Sequence, residues 1–171
     1  MNILLALVLT LAPQVVLTDQ VNTYVIQRNE QIGSATSFLQ EKGYQMKAAL
    51  GLYKSYTLTN ELLVEDEMAF WFVQPFSPDE YIGKKIQVYW FEVTNHPLEK
   101  RLEQYHPKGV SVFLFMSGNK VIGGTSFPIT EEPLYGGPYY LDGSNGSRGE
   151  EYIKESDSWR KKYSPPVHNR K

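Results

Sequence analysis

Residues 84–95 read KKIQVYWFEVTN, and residues 109–124 read GVSVFLFMSGNKVIGG. Both stretches are rich in β-branched and aromatic side chains, which suit a pleated, half-buried surface. In the first, Ile86, Val88 and Trp90 share one face of a strand. In the second, Gly109 to Met116 reads as a strand, Ser117-Gly118-Asn119 as a tight turn and Lys120 to Gly123 as the returning strand. Glycine and asparagine tolerate the positive φ that such a turn requires. The connection between the two stretches, His96 to Lys108, has room for a short helix around Leu98 to Tyr105.

Toward the N-terminus, FLQEKGYQM (38–46) reads as helix, stop, strand. The periodicity of Val21, Val25, Ile32, Ala35, Phe38 and Leu39 predicts a helix over 20–42. Ser34 is a candidate cap for its second half, and Gly43 suits its end. Tyr44, Met46 and Ala48 then alternate with polar residues as in a half-buried strand, and 50–58 continues as a second extended segment. Glu65, Asp66 and Glu67 precede an apolar run, as suits a helix N-terminus. Met68 to Val73 is too evenly apolar to assign by period, and Pro75 and Pro78 end it either way.

These elements predict one α+β domain over 19–128, an N-terminal helix packed on a mainly antiparallel sheet of about four or five strands, with a C-terminal strand hairpin. No internal repeat is present. Residues 125–171 lose periodicity, and 129–171 read as an irregular tail, first rich in Pro, Gly and Tyr, then basic. Arg160, Lys161, Lys162, Arg170 and Lys171, with no acid among them, give 160–171 a charge of +5.

Over the whole chain, 17 basic and 19 acidic residues leave a net charge of -2, which argues against an electrostatic nucleic-acid partner. Cysteine is absent, which excludes disulfides, a thiolate zinc site, a cysteine nucleophile and a lipid-modified cysteine. At the other end, ILLALVLTLA (3–12) matches the apolar part of an export signal, about 7–15 residues, better than the roughly 20 of a membrane span. Residues 1–18 are therefore expected to be a signal peptide or retained anchor, although no Lys or Arg precedes Arg28. The competing reading makes 3–17 a buried element of a cytoplasmic domain.

Candidate chemistry is sparse. His96 and His106 each precede a proline and are expected to be exposed loop histidines. With Glu99 or Glu103 they could ligate a metal, but their spacing matches no helix-borne ligand motif. No G-x-S-x-G elbow and no phosphate-binding G-x-x-x-x-G-K-[ST] loop occurs. Gly123-Gly124 reads as a bulge or close backbone approach at a strand end. The segment from Asp142 to Ser147 fails the calcium-loop pattern, and Asn145 to Ser147 forms a glycosylation sequon. Consecutive Glu65, Asp66 and Glu67 point in different directions and make a poor carboxylate dyad. The candidate binding residues are Tyr135, Tyr139 and Tyr140 in PLYGGPYYLDG, which either form a recognition surface or pack across the sheet. No catalytic residue, metal ligand or cofactor is assigned.

The ordered set FLQEKGYQM (38–46), YIGKKIQVYWFEVTN (81–95) and VSVFLFMSGNKVIGG (110–124) resembles a family of small exported bacterial domains of unknown function, DUF 4830. Phe38, Leu39, Gly43, Tyr44, Tyr81, Gly83, Lys84, Thr94, Asn95, Val121, Ile122, Gly123 and Gly124 carry the resemblance, over about half of the chain. Thr125 departs from it, since the family tends to have Asp after the double glycine. The resemblance implies an exported α+β domain and supplies no activity or ligand.

The expected function is that of a non-catalytic, extracytoplasmic binding or regulatory module whose partner is a protein or an envelope polymer. Membrane contact is open to the N-terminal apolar run or to the basic tail. The alternatives are an envelope hydrolase using His96 or His106 with Glu92 or Glu99, and a cytoplasmic regulatory or immunity-type protein.

Overall fold

The computed structural model describes residues 30–144 and 150–164. The apolar run within 1–18, the first part of the expected helix, the sequon and His168 lie outside the described residues.

Helix α1 occupies 30–41 of the described chain. Ser34 lies inside it rather than at its start, so the expected cap is corrected: the apolar period already runs through Ile32 and Ala35, and the helix is continuous there. Its end is as the sequence suggests. Gly43 adopts φ 80, the Tyr44 amide donates to Leu39 O at 3.0 Å and the Gly43 amide to Gln40 O at 2.8 Å. These two bonds satisfy carbonyls that a helix end leaves orphaned, and they turn the chain directly into the sheet.

The sheet has five antiparallel strands in the order β1-β2-β3-β4-β5. They are β1 Gln45–Thr57, β2 Lys85–Thr94, β3 Val110–Ser117, β4 Lys120–Pro128 and β5 Tyr139–Tyr140. The expected α+β architecture is thus observed. The two extended segments expected at 44–48 and 50–58 are one strand, whose 13 residues pair with the 10 of β2 through three register shifts. Lys47, Leu50 and Tyr53 are the extra residues, one every third position. At the β3–β4 turn Gly118 takes φ 61, which only glycine adopts without cost.

Both faces of the sheet are covered, because β2 and β3 are apolar on both sides. Tyr89, Phe91 and Val93 of β2 and Val110, Val112, Leu114 and Met116 of β3 pack with Ala35 and Leu39 of α1 and with Leu98 of the short helix α3, Pro97–Arg101. Ile86, Val88 and Phe115 face the other way and pack against Leu58, Leu63 and Trp71. Trp71 belongs to α2, Met68–Phe72, the five-residue helix inside the evenly apolar run. Its even apolarity reflects its place over this second face.

Glu65, Asp66 and Glu67 stand in the turns at the front of α2, with Glu67 at its N-cap position, as the sequence suggests. Glu67 makes no cap bond; its buried carboxylate instead binds Lys54 Nζ at 2.6 and 2.7 Å. The tail is not irregular throughout. It contributes β5 and the 14-residue helix α4, Glu150–Tyr163. This helix escapes a periodicity reading because charged residues dominate it and few apolar ones anchor it.

That anchoring lies at its C-terminal end. Trp159 Nε1 donates to Leu63 O at 2.6 Å, Arg160 to Val64 O at 3.0 Å, and the Tyr163 hydroxyl to Asp79 at 2.8 Å. Lys162 pairs with Asp79 at 2.6 Å. The N-terminal half is exposed, with Tyr152 and Ile153 at 44% and 59%. No described helix is long and apolar enough to cross a membrane.

Candidate functional site

The exposed half of α4 stands off from the sheet and leaves a groove of about 1190 Å³. One wall is the α4 face from Glu151 to Tyr163, and the other combines α2 with the chain to Ser77 and the loop from Tyr135 to Tyr140. The sequence explains the opening. Pro133, Gly136, Gly137 and Pro138 hold the loop away from β4 until Tyr139 and Tyr140 pair with Ser126 and Thr125. A smaller hollow of about 350 Å³ lies against the same loop and shares Tyr135 and Tyr139.

All three sequence-predicted tyrosines line the groove. Tyr135 is 102% exposed, whereas Tyr139 and Tyr140 are half-buried in β5. Sequence reasoning missed the opposite wall. Phe72 meets Tyr152 and Trp159 edge-on, with ring centroids 5.3 and 5.4 Å apart, and Trp159 meets Tyr163 at 4.8 Å. The spacing of Tyr152, Trp159 and Tyr163, seven and then four residues, was the available signal, since it places them on one helical face. The ionisable groups on the lining are Glu151 and Glu155 against Lys154 and Lys162, so the groove carries no dominant sign. Large aromatic surfaces with a few polar groups at the rim suit a binding site.

The histidines lie elsewhere. His96 is 3% exposed, which corrects the expectation of an exposed loop residue. It caps α3: its Nδ1 accepts from the Leu98 amide at 3.1 Å, while Glu99 accepts from the His96 amide at 2.9 Å. Since Nδ1 is an acceptor, Nε2 carries the proton and donates to Leu141 O at 2.9 Å. Tyr44 stacks near the ring at 4.4 Å and also donates to Leu141 O. Burial lowers the His96 pKa below its ordinary 6.5, against the opposing pull of the Leu141 bond, Glu99 and Asp142. With both nitrogens committed and no place on the groove, His96 has neither the free nitrogen nor the position for the hydrolase alternative. His106 is exposed and ends a short helical turn at φ 47.

The Asp142 loop is an Asx turn. Asp142 Oδ1 accepts from the Ser144 amide at 2.8 Å and hydroxyl at 2.6 Å. Burial pushes the Asp142 carboxyl up, but these bonds and the Arg101 charge outweigh it and hold the pKa below 3.8. Among the described residues, no group of three His, Asp or Glu is placed to hold a metal ion.

Gly123-Gly124 is a close approach, as the sequence suggests. Ile122 is the extra residue where β4 shifts register against β3. A Cβ on Gly123 would collide with Gln74 Oε1, and one on Gly124 with Phe113 O. Next to them Thr125 is fully buried with no partner for its hydroxyl.

The chain matches no protein-family model, no curated protein and no solved structure.

Proposed function

We propose that this protein is an exported bacterial binding module that acts at the cell envelope without catalysis and holds an extended partner, a protein segment or envelope polymer, in the groove between α4 and the Tyr135–Tyr140 loop. The observation that carries the reading is the groove's lining. Tyr135, Tyr139 and Tyr140 line one wall and Tyr152, Trp159 and Tyr163 the other, and Tyr135 is fully exposed. Tyrosine offers a large contact area at low conformational cost and one hydroxyl for orientation. The N-terminal apolar run and the resemblance to small exported domains support the location.

The test compares the full-length chain with the Tyr135→Ala, Tyr139→Ala, Tyr140→Ala variant as bait against a detergent-solubilised envelope fraction. The reading expects a partner retained by the first and lost by the second. Identical retained sets would remove the groove from the function.

A further inference from the structure

The cover that α2 gives the second sheet face ends at Phe70. Beyond it, among the described residues, the outward positions of β2 and β3 pass from buried to half-buried. Ile86 and Val88 give way to Trp90 and Glu92, and Phe115 to Phe113 and Ser111. Aromatic rings from four strands cross this open half. Trp90 and Phe113 are cross-strand partners and stack at 5.6 Å with 17° between their planes. Tyr53 of β1 reaches over β2 to meet Phe113 at 5.0 Å and Trp90 at 6.2 Å, edge-on to both. Phe127 of β4 meets Phe113 at 5.8 Å and Phe70 at 6.1 Å. From β1 to β4 the row spans three strand spacings, about 14 Å. Tyr53, 53% exposed, is its most open member.

The polar groups beside the row narrow what can lie on it. Glu92 follows Trp90 on the same face and is half-buried, but its carboxylate has no hydrogen-bond or ion-pair partner among the described residues. Ser111, opposite Glu92, accepts from Trp90 Nε1 at 3.3 Å. At the border, Lys54 is held by Glu67 at 2.6 Å. An unpaired carboxylate repels acidic polymers and accepts hydrogen bonds from hydroxyls. The backbone groups of an extended peptide find no partner on such rings, since the amides and carbonyls of the strands beneath are paired within the sheet. A pyranose ring has the layout that fits. Its C–H faces lie against the π-faces and edges of aromatic rings, and its hydroxyls stand around its rim. Phe127 also lines the small hollow that shares Tyr135 and Tyr139 with the groove, so the row and the groove form one aromatic path.

We propose that the open half of the sheet is a sugar-binding face. A neutral, linear glycan lies on Tyr53, Trp90, Phe113 and Phe127 and gives hydroxyl hydrogen bonds to Glu92. This rests on the reading of the chain as a binding module, and it commits the extended partner to the polysaccharide class.

The three tryptophans report on three places. Trp90 stands in the row, Trp159 lines the groove and Trp71 is fully buried. The isotope-labelled full-length chain is titrated with soluble oligomers of β-linked N-acetylglucosamine and of β-linked glucose, and its indole N–H signals are followed. The proposal expects a saturable shift of the Trp90 signal with one of these neutral oligomers, while the Trp71 signal stays in place. Glu92→Gln is expected to weaken that binding about tenfold, as the loss of a hydrogen bond to a charged group does. Tyr53→Ala is expected to weaken it about tenfold as well, by removing the exposed ring. An unchanged Trp71 signal shows that each variant is folded.

A Trp90 signal that answers to neither neutral oligomer overturns the proposal, whether or not it answers to heparin or a polyproline peptide. Equal affinity in the wild type and both variants overturns it too. A Trp90 shift that follows protein concentration, with a dimer in sedimentation, places a second copy on this face and overturns it as well. The groove reading stands or falls separately. A partner lost with the three tyrosines beside a silent Trp90 sinks the sugar face alone. A Trp90 response with an unmoved Trp159 signal and identical retained sets sinks the groove alone.

Discussion

Gln74 holds Gly124 by both of its backbone groups: Gln74 Oε1 accepts from the Gly124 amide at 3.0 Å, and Nε2 donates to Gly124 O at 3.1 Å. The side-chain amide thus substitutes for a neighbouring strand at a β4 position that β5 is too short to cover. It is fixed from behind by a 2.7 Å bond from Nε2 to Phe70 O, so α2 and the sheet edge are joined through one residue. Gln74→Ala strands two buried backbone groups and is expected to cost about 2–4 kcal/mol in urea unfolding. Gly123→Ala, whose methyl collides with Gln74 Oε1, is expected to destabilise the wild type and to cost less in the Gln74→Ala background. Additive effects in that double-mutant cycle would contradict the contact.

His96 sets a pH window. Its folded pKa lies below the ordinary 6.5, so the neutral ring is favoured by folding. Stability is then full above about pH 6.5 and declines as pH falls from there toward the folded value. A protonated ring would also turn Nδ1 into a donor facing the Leu98 amide. The melting temperature of the wild type is expected to fall between pH 7 and pH 5, and that of His96→Gln to stay flat. Asp79 and Asp142, both shifted below 3.8, lose their contributions only at more acid pH and leave this window clear.

Thr125 carries the one buried side-chain polar atom among the described residues that has no hydrogen-bond partner. Valine keeps the β-branched shape and removes the hydroxyl. Thr125→Val is expected to stabilise the fold by about 1 kcal/mol, read as a higher denaturation midpoint with an unchanged slope. A loss of stability would show that the hydroxyl is satisfied in solution.

Lys54 and Glu67 behave as a unit. Glu67 is 8% and Lys54 25% exposed at the side chain, and Lys54 Nζ lies 4.4 Å from the Phe70 ring centroid. Burial, reinforced by the Glu67 carboxylate, also pushes the Tyr56 phenol well above its ordinary 10.0, so Tyr56 stays a protonated donor. Lys54→Met leaves a carboxylate uncompensated and is expected to cost about 2 kcal/mol, reduced from a fully buried pair because Lys54 reaches solvent. The double variant Lys54→Met, Glu67→Gln is expected to recover most of that loss in the same unfolding measurement.

What was legible in the sequence was local. Strands β2 and β3 announced themselves by composition, the hairpin by Gly118, and the end of α1 by Gly43, because each depends on residues within a few positions. What was hidden depends on distant partners. The burial of His96 is completed by Leu141, 45 positions on, and the Gln74–Gly124 clasp joins residues 50 apart. Helix α4 was hidden for a third reason: charged residues dominate it, and the spacing of Tyr152, Trp159 and Tyr163 is a sparse signal among them. The tyrosine loop was readable as a candidate, but the wall that turns it into a groove came from that unread helix.

The repeated bulges of β1 settle how this molecule can grow. Lys47, Leu50 and Tyr53 each interrupt the outer strand, so its free edge offers no run of evenly spaced amides and carbonyls for another chain to copy. At the opposite margin, Gln74 and the two-residue β5 occupy the places a further strand would take. Among the described residues, both margins of the sheet are therefore interrupted or covered, and neither presents the regular edge that an added strand would copy.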